Sequence, residues 1–241
     1  MSGHSKWNNI KHKKEKTDAQ RAKVFTKIGK EISIAVREGG SDPVVNSKLR
    51  DLIAKAKSLN VPNDNIKRII EKAGADGVIY EEYTYEGYGP AGVAVIVTTA
   101  TDKKNRTAGN IRHYFDKYKG NLGAQGCVSF MFSDKGLIVI DNEEGEYDED
   151  EVMEAALESG AADFLVDGDI FEIYTEPDDL DAVKEALSEK YEFASAELTK
   201  VPSSYITLEN EEDIENMEKL LEALDDDDDV QDVYHNWETN D

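Results

Sequence analysis

The chain has 241 residues, 39% of them hydrophobic, with 28 Lys+Arg against 52 Asp+Glu and a formal net charge of -24. That length allows a substantial core in more than one domain, and a single cysteine, Cys127, excludes an internal disulfide and fits a reducing compartment. The longest apolar run, GVAVIV at 92–97, is far too short to span a bilayer, and no apolar stretch follows the basic start as in a secretory signal, so a cytoplasmic location is expected.

Charge is segregated along the chain. Residues 1–76 carry a net +8 and the remaining 165 residues a net -32. The first residues, MSGHSKWNNIKHKKEKTDAQ, set Lys6, Lys11, Lys13, Lys14 and Lys16 against Glu15, with Asp18 as the stretch's other acid. A basic module on an acidic body points to a polyanion partner. This stretch has no apolar stripe and is expected to order only on contact.

From Asp18 the period becomes helical. Phe25, Ile28, Ile32, Ala35 and Val36 fall on one stripe of a helix ending before Gly39-Gly40, and Lys23, Lys27, Lys30 and Arg37 fall on the opposite arc. The basic arc therefore reads as a continuation of the basic tail. Ser41-Asp42-Pro43 predicts the start of a second helix with the stripe Val45, Leu49, Leu52, Ile53, Ala56 and Leu59. A third follows Val61-Pro62-Asn63-Asp64, buries Ile66, Ile69, Ile70 and Ala73, and stops at Gly74.

Near residue 78 the period changes again. VIYEEYTYEGYG and GVAVIVTTAT read as strands, the second buried on both faces, followed by a helix over 105–118 and a strand in GCVSFMF at 126–132. Strand Leu137–Ile140, a helix over 149–159, a hairpin at Asp167-Gly168, a helix from Pro177 and a strand at 192–200 give the order βαββαβ, the ferredoxin-like plan. The last residues give strand SYITLE, helix EEDIENMEKLLEAL and strand VQDVYHNW. The predicted fold class is α+β: an N-terminal three-helix domain followed by two small α+β domains, one inserted in the other. The expected boundaries are 1–76, 77–132 with 204–241, and an inserted 133–203.

Catalytic constellations are thin. None of His4, His12, His113 and His235 shares a metal-type spacing with cysteine or another histidine, and no nucleophile elbow occurs. GNLGAQG has the glycines of a phosphate loop without its Lys-Ser/Thr ending. No enzyme activity, cofactor, metal or small-molecule substrate is expected. The run Asp225–Asp229 follows a helix end, where negative charge is unfavourable, and reads as a solvated connector.

The basic groups carry the functional expectation. Lysines neutralise phosphates, Arg21 can fork onto one, and Trp7, His4 and His12 can stack on exposed bases. Lys103, Lys104, Arg106 and Arg112 around the middle helix extend the candidate track.

GHSKWNNIKHKKEKTDAQRAKVF, GYGPAGVAVIV, DKKNRTAGNIRHYF, GNLGAQGCVSFMF and DVQDVYHNW together resemble the YebC family over essentially the whole chain. The resemblance implies a helical N-terminal domain followed by two α+β domains, no catalytic residues, and a DNA-binding transcriptional regulator of the cytoplasm. Other members of that family, mitochondrial ones included, look like translation factors that help ribosomes through proline runs. The partner implied is therefore DNA, with ribosomal RNA on the ribosome as the alternative.

Overall fold

The computed structural model describes residues 18–74 and 77–238, with side chains from Ala22 onward at the N-terminal end. The tail expectations for residues 1–17 lie outside the described residues. The described residues separate into two compact units, one taking in residues 18–128 together with Glu209–His235, the other built mainly from Ser129–Leu208.

In the first unit, α1 (Asp18–Gly39), α2 (Ser47–Ser58) and α3 (Asn63–Gly74) pack around the stripes read from the sequence. Ile28, Ile32, Ala35, Val36, Leu49, Ala56, Val61, Ile66 and Ala73 are buried together, edged by Phe25, Leu52, Ile53 and Ile69. The start of α2 differs from expectation. Asp42 closes a turn, its carboxylate accepting from the Val44 amide at 2.9 Å and its carbonyl from the Asn46 amide at 3.0 Å. Asn46, not Asp42, then caps the helix by accepting from the Leu49 amide at 3.0 Å. A buried Asn side chain outcompetes Ser-Asp-Pro because its Nδ2 also donates to the Ala35 and Gly40 carbonyls, each at 2.8 Å. Val45 is consequently left outside the stripe, 76% exposed.

The same unit holds an antiparallel sheet in the order β3-β1-β2-β9, from β1 (Glu81–Tyr88), β2 (Ala94–Thr101), β3 (Asn121–Leu122) and β9 (Val230–His235). Strand β2 is buried along nearly its whole length, as its unbroken apolar run requires. Helix α4 (Lys104–Lys117) packs on β1 and β3, and helix α7 (Glu211–Asp226) on β9 and α4. Ile111 and Phe115 of α4 and Met217, Leu220 and Leu224 of α7 are buried. At Gly87 a side chain would meet the Asn121 carbonyl oxygen at 2.6 Å, which is why the β1–β3 approach needs glycine there.

GCVSFMF does not form the expected strand. Gly126 turns with φ +87°, and the Gly126 and Val128 amides donate to the two oxygens of Glu86 at 2.8 and 2.9 Å. The buried carboxylate takes the donors that a ladder would have used. A single 3₁₀ turn at Ser129–Met131 then leads into β4 (Phe132–Asp141).

Strand β4 opens the second unit, followed by α5 (Glu149–Glu158), β5 (Asp163–Asp167), β6 (Ile170–Thr175), α6 (Leu180–Leu187) and β7 (Ser195–Pro202). The antiparallel order β5-β6-β4-β7 is the ferredoxin-like arrangement. Gly168, at φ +57°, makes the tight turn between β5 and β6. Ile138, Ile140, Phe171 and Ile173 pack on Val152, Ala156, Leu180, Val183 and Leu187 of the two helices, while Leu137, Val139, Ile170 and Tyr174 cluster separately. SYITLE shrinks to the two-residue β8 (Ile206–Thr207), which pairs in parallel with β10 (Trp237–Glu238). The architecture is thus α+β, three N-terminal helices followed by two sheet-containing regions.

Replacing Asn46 by Ala removes a cap and the side-chain donor shared by the Ala35 and Gly40 carbonyls. Urea unfolding should show a loss of about 2–3 kcal/mol. Asn46→Asp keeps the cap acceptor but presents a carboxylate to two carbonyls, and should lose at least as much.

Candidate nucleic-acid interface

The basic arc of α1 and the acidic run that ends α7 and follows it, some two hundred positions apart in the chain, meet. Lys23 Nζ reaches Asp226 Oδ1 at 2.6 Å. Lys27 Nζ lies 2.7 Å from the Asp225 carbonyl and 3.3 Å from its Oδ1. Lys30 Nζ lies 2.7 Å from the Asp228 carbonyl and 2.6 Å from Asp229 Oδ1. Ammonium groups therefore satisfy the open carbonyls and offset the negative end of α7, the role cations serve at a helix C-terminus. The Asp226 carboxylate raises the Lys23 ammonium above its ordinary pKa.

Asp229 is the hub. Its Oδ2 accepts from Arg106 at 2.6 Å, Thr107 Oγ1 at 2.8 Å and Thr101 Oγ1 at 3.1 Å, while Oδ1 takes Lys30. Its carbonyl accepts from the Ala100 amide at 2.8 Å. Burial pushes the carboxyl up, but hydrogen bonds from Lys30, Arg106 and Thr107 outweigh it and hold the pKa at about 2. Next to it, Asp227 Oδ2 accepts from Asn110 and Tyr114, each at 3.1 Å, and Tyr114 is raised to about 12 by burial and by that charge. The run is not a solvated connector, and the sequence alone could not show this because every partner is remote.

The candidate cations divide accordingly. Lys30 is buried at 7% exposure and points at Asp229, not outward as its helical position implied. Lys23 and Lys27 are shared with Asp226 and Asp225, and Arg106 joins Asp229 and Asp102. Arg37, Lys103 and Arg112 are exposed and make no ion pair among the described residues. Lys104 sits 4.5 Å from the centre of the Tyr83 ring. His4, Lys6, Trp7, Lys11, His12, Lys13, Lys14 and Lys16, with the side chain of Arg21, lie outside the described residues.

Five further cations escaped the sequence reading. Arg50 and Lys57 on α2 and Lys67, Arg68 and Lys72 on α3 are exposed and form no ion pair among the described residues. Their signal was present, since each falls outside its helix's apolar stripe.

Little else offers chemistry. Burial and then Glu86 raise the Cys127 thiol, which disfavours its nucleophilic form. Among the described residues no group of three or more His, Cys, Asp or Glu is placed to hold a metal ion, and no helix is long and apolar enough to cross a membrane.

Comparison with known proteins covers nearly the whole chain. A family model described as the TACO1/YebC protein N-terminal domain matches residues 5–76, and one described as the TACO1/YebC second and third domain matches residues 80–237. A "probable transcriptional regulatory protein" of Agathobacter rectalis is 57% identical over 241 residues, covering 99% of this chain and 100% of that protein. One of the same description from Acetivibrio thermocellus is 57% identical over 240 residues, covering 98% and 99%. The crystal structure of a conserved hypothetical protein from Aquifex aeolicus superposes with a TM-score of 0.86 at 43% identity, covering 94% and 93% of the two chains.

The hub sets an acid limit on stability. Asp229 ionises at lower pH in the folded chain than in the unfolded one, so its contribution is complete above about pH 4 and disappears as pH falls towards 2. Urea unfolding across that window should lose about 2 kcal/mol that an Asp229→Asn variant, already weaker at pH 7, does not lose again.

Proposed function

Because the chain belongs to the TACO1/YebC family, we propose that it is a non-enzymatic, nucleic-acid-binding regulator of gene expression, and that its partner is DNA. The observation that carries this reading is the segregation of charge, +8 in residues 1–76 against -32 in the rest. The relatives' common description as probable transcriptional regulatory proteins supports the regulatory role.

The contacts are divided by the state of each cation. The tail, from His4 through Lys16 with Trp7 and Arg21, supplies phosphate contacts and stacking, and the exposed Arg37, Lys103, Lys104 and Arg112 extend them. Arg106 and Lys30 act on Asp229 and hold the fold. The acidic remainder does not cancel the attraction, since charges beyond a Debye length of about 8 Å are largely screened at physiological salt.

A ribosome-binding translation factor using the same cations on ribosomal RNA is the second reading. One observation favours it: three of the four cations in the arc of α1, Lys23, Lys27 and Lys30, are taken by the acidic run, and the remaining free cations are scattered over several faces. Scattered phosphate contacts suit the shape of folded RNA better than the major groove of duplex DNA.

If about six cations reach phosphates, log affinity for duplex DNA should fall with log salt at a slope near -5. Charge reversal at Lys11, Lys13 and Lys14 should weaken binding on every sequence and flatten that slope by about 3. Unchanged affinity would remove the tail from the interface. Crosslinking in cells with sequencing of both polymers separates the two readings: promoter DNA alone supports the first, and ribosomal RNA alone the second.

A further inference from the structure

We infer that the acidic run at the end of α7 is an internal competitor for the basic face of α1: Asp225 and Asp226 hold Lys27 and Lys23 until a phosphodiester chain displaces them. The inference rests on the nucleic-acid reading above and adds a regulatory contact to it.

Three features carry it. First, the α7 helix does not itself account for Asp225 and Asp226. Carboxylates at a helix C-terminus oppose the macrodipole, and the last turn of α7 has no basic residue of its own. Their stabilisation comes from α1. Second, the row of carboxylates gives the ammonium groups what a polyphosphate backbone would, anionic oxygens at successive positions. Lys23 and Lys27, one helical turn apart, each take one.

Third, the contacts are graded. Lys30 and Asp229 are buried, with side chains 9% and 6% exposed, and Asp229 is further held by Arg106, Thr101 and Thr107. Breaking such a pair leaves an uncompensated buried charge, so this end stays closed. Asp225 and Asp226 are 64% and 65% exposed and pair with Lys27 and Lys23, whose side chains are 13% and 37% exposed. Pairs in which one carboxylate faces solvent contribute little and weaken with salt. A nucleic acid, which gains by releasing condensed counterions, can replace them. The outer half of the contact therefore opens while the inner half keeps α1 in place. A weakly bound polyanion meets a closed face; one already held by the tail can open it.

The test uses the full chain with Asp225→Asn/Asp226→Asn, leaving Asp227–Asp229 intact, and a fluorescent random-sequence DNA duplex and a structured RNA as probes. At low salt the variant should bind at least one of them about five-fold tighter, and its salt slope should steepen by about 1–2 as two more lysines become available. A charge-matched control in the other unit, Glu149→Gln/Asp150→Asn, should stay within about two-fold of the parent, because the partners of Lys23 and Lys27 are Asp226 and Asp225. Adding Lys23→Gln/Lys27→Gln to the Asn pair should abolish the gain.

An equal gain in the control, no gain in the Asn pair, or a gain that survives loss of both lysines would each overturn the competition. If neither the parent nor the variant binds either probe at low salt, the nucleic-acid reading falls and takes the competition with it. If the parent binds and the variant gains nothing, only the competition falls. Thermal melting should place the Tm of the Asn pair within about 4 °C of the parent's, which keeps a folding defect apart from a binding effect.

Discussion

One buried carboxylate organises the first unit. Asp229 stands where α7 ends and β9 begins, and it is reached by Lys30 from α1, Thr101 from β2, and Arg106 and Thr107 from α4. Desolvating an ion costs several kcal/mol, and it is tolerated only when the charge is met by close, well-directed donors. Two cations and two hydroxyls meet it here, and the pKa of about 2 shows the donors outweighing the burial. Remove the geometry and the charge has no solvent to fall back on. The position of α1 against the sheet is therefore fixed by an electrostatic requirement as well as by apolar packing.

That requirement reaches across the chain. Lys30 and Asp229 are 199 positions apart, so the C-terminal segment must add β9 to the sheet before the first helix has its partner. The pairing of β9 with β2, from Val95 with His235 to Thr99 with Val230, brings the carboxylate to the end of β2. Sheet register and charge pairing then specify one arrangement. A slip of one residue in β9 would turn its side chains to the other face and displace the acid from its donors.

This explains what the residues disclosed in advance and what they withheld. Helices α1 and α3, the doubly buried β2 and the βαββαβ order follow from apolar spacing and local turns, which act over a few residues. The failures share one cause, a buried polar side chain with distant partners. Glu86 captured the amides of Gly126 and Val128 and suppressed a strand. Asn46 took the cap that Ser-Asp-Pro seemed to offer. Asp229 turned an apparent acidic linker into the centre of a network. Of the candidate interface, composition revealed which groups are cations but not which are already matched. The free ones on α2 and α3 were legible as positions outside an apolar stripe and needed only a question about the other face.

The distinction between matched and free cations alters how function is to be reasoned about in this chain. Counting Lys and Arg treats Lys6 and Lys30 alike, yet Lys30 is an internal structural charge and Lys6 belongs to a stretch with almost no acid in it. Any truncation that crosses Asp18 removes cations in order of position, and by Lys30 it removes half of a buried ion pair. Loss of binding after such a cut would report a damaged hub as readily as a missing phosphate contact. The tail and Lys30 are close in sequence, but the tail and the hub that Lys30 joins answer to different physics. On the proposed reading the first is governed by counterion release, which salt weakens, and the second is governed by desolvation, which salt barely touches. Ionic strength is therefore the variable that separates the two.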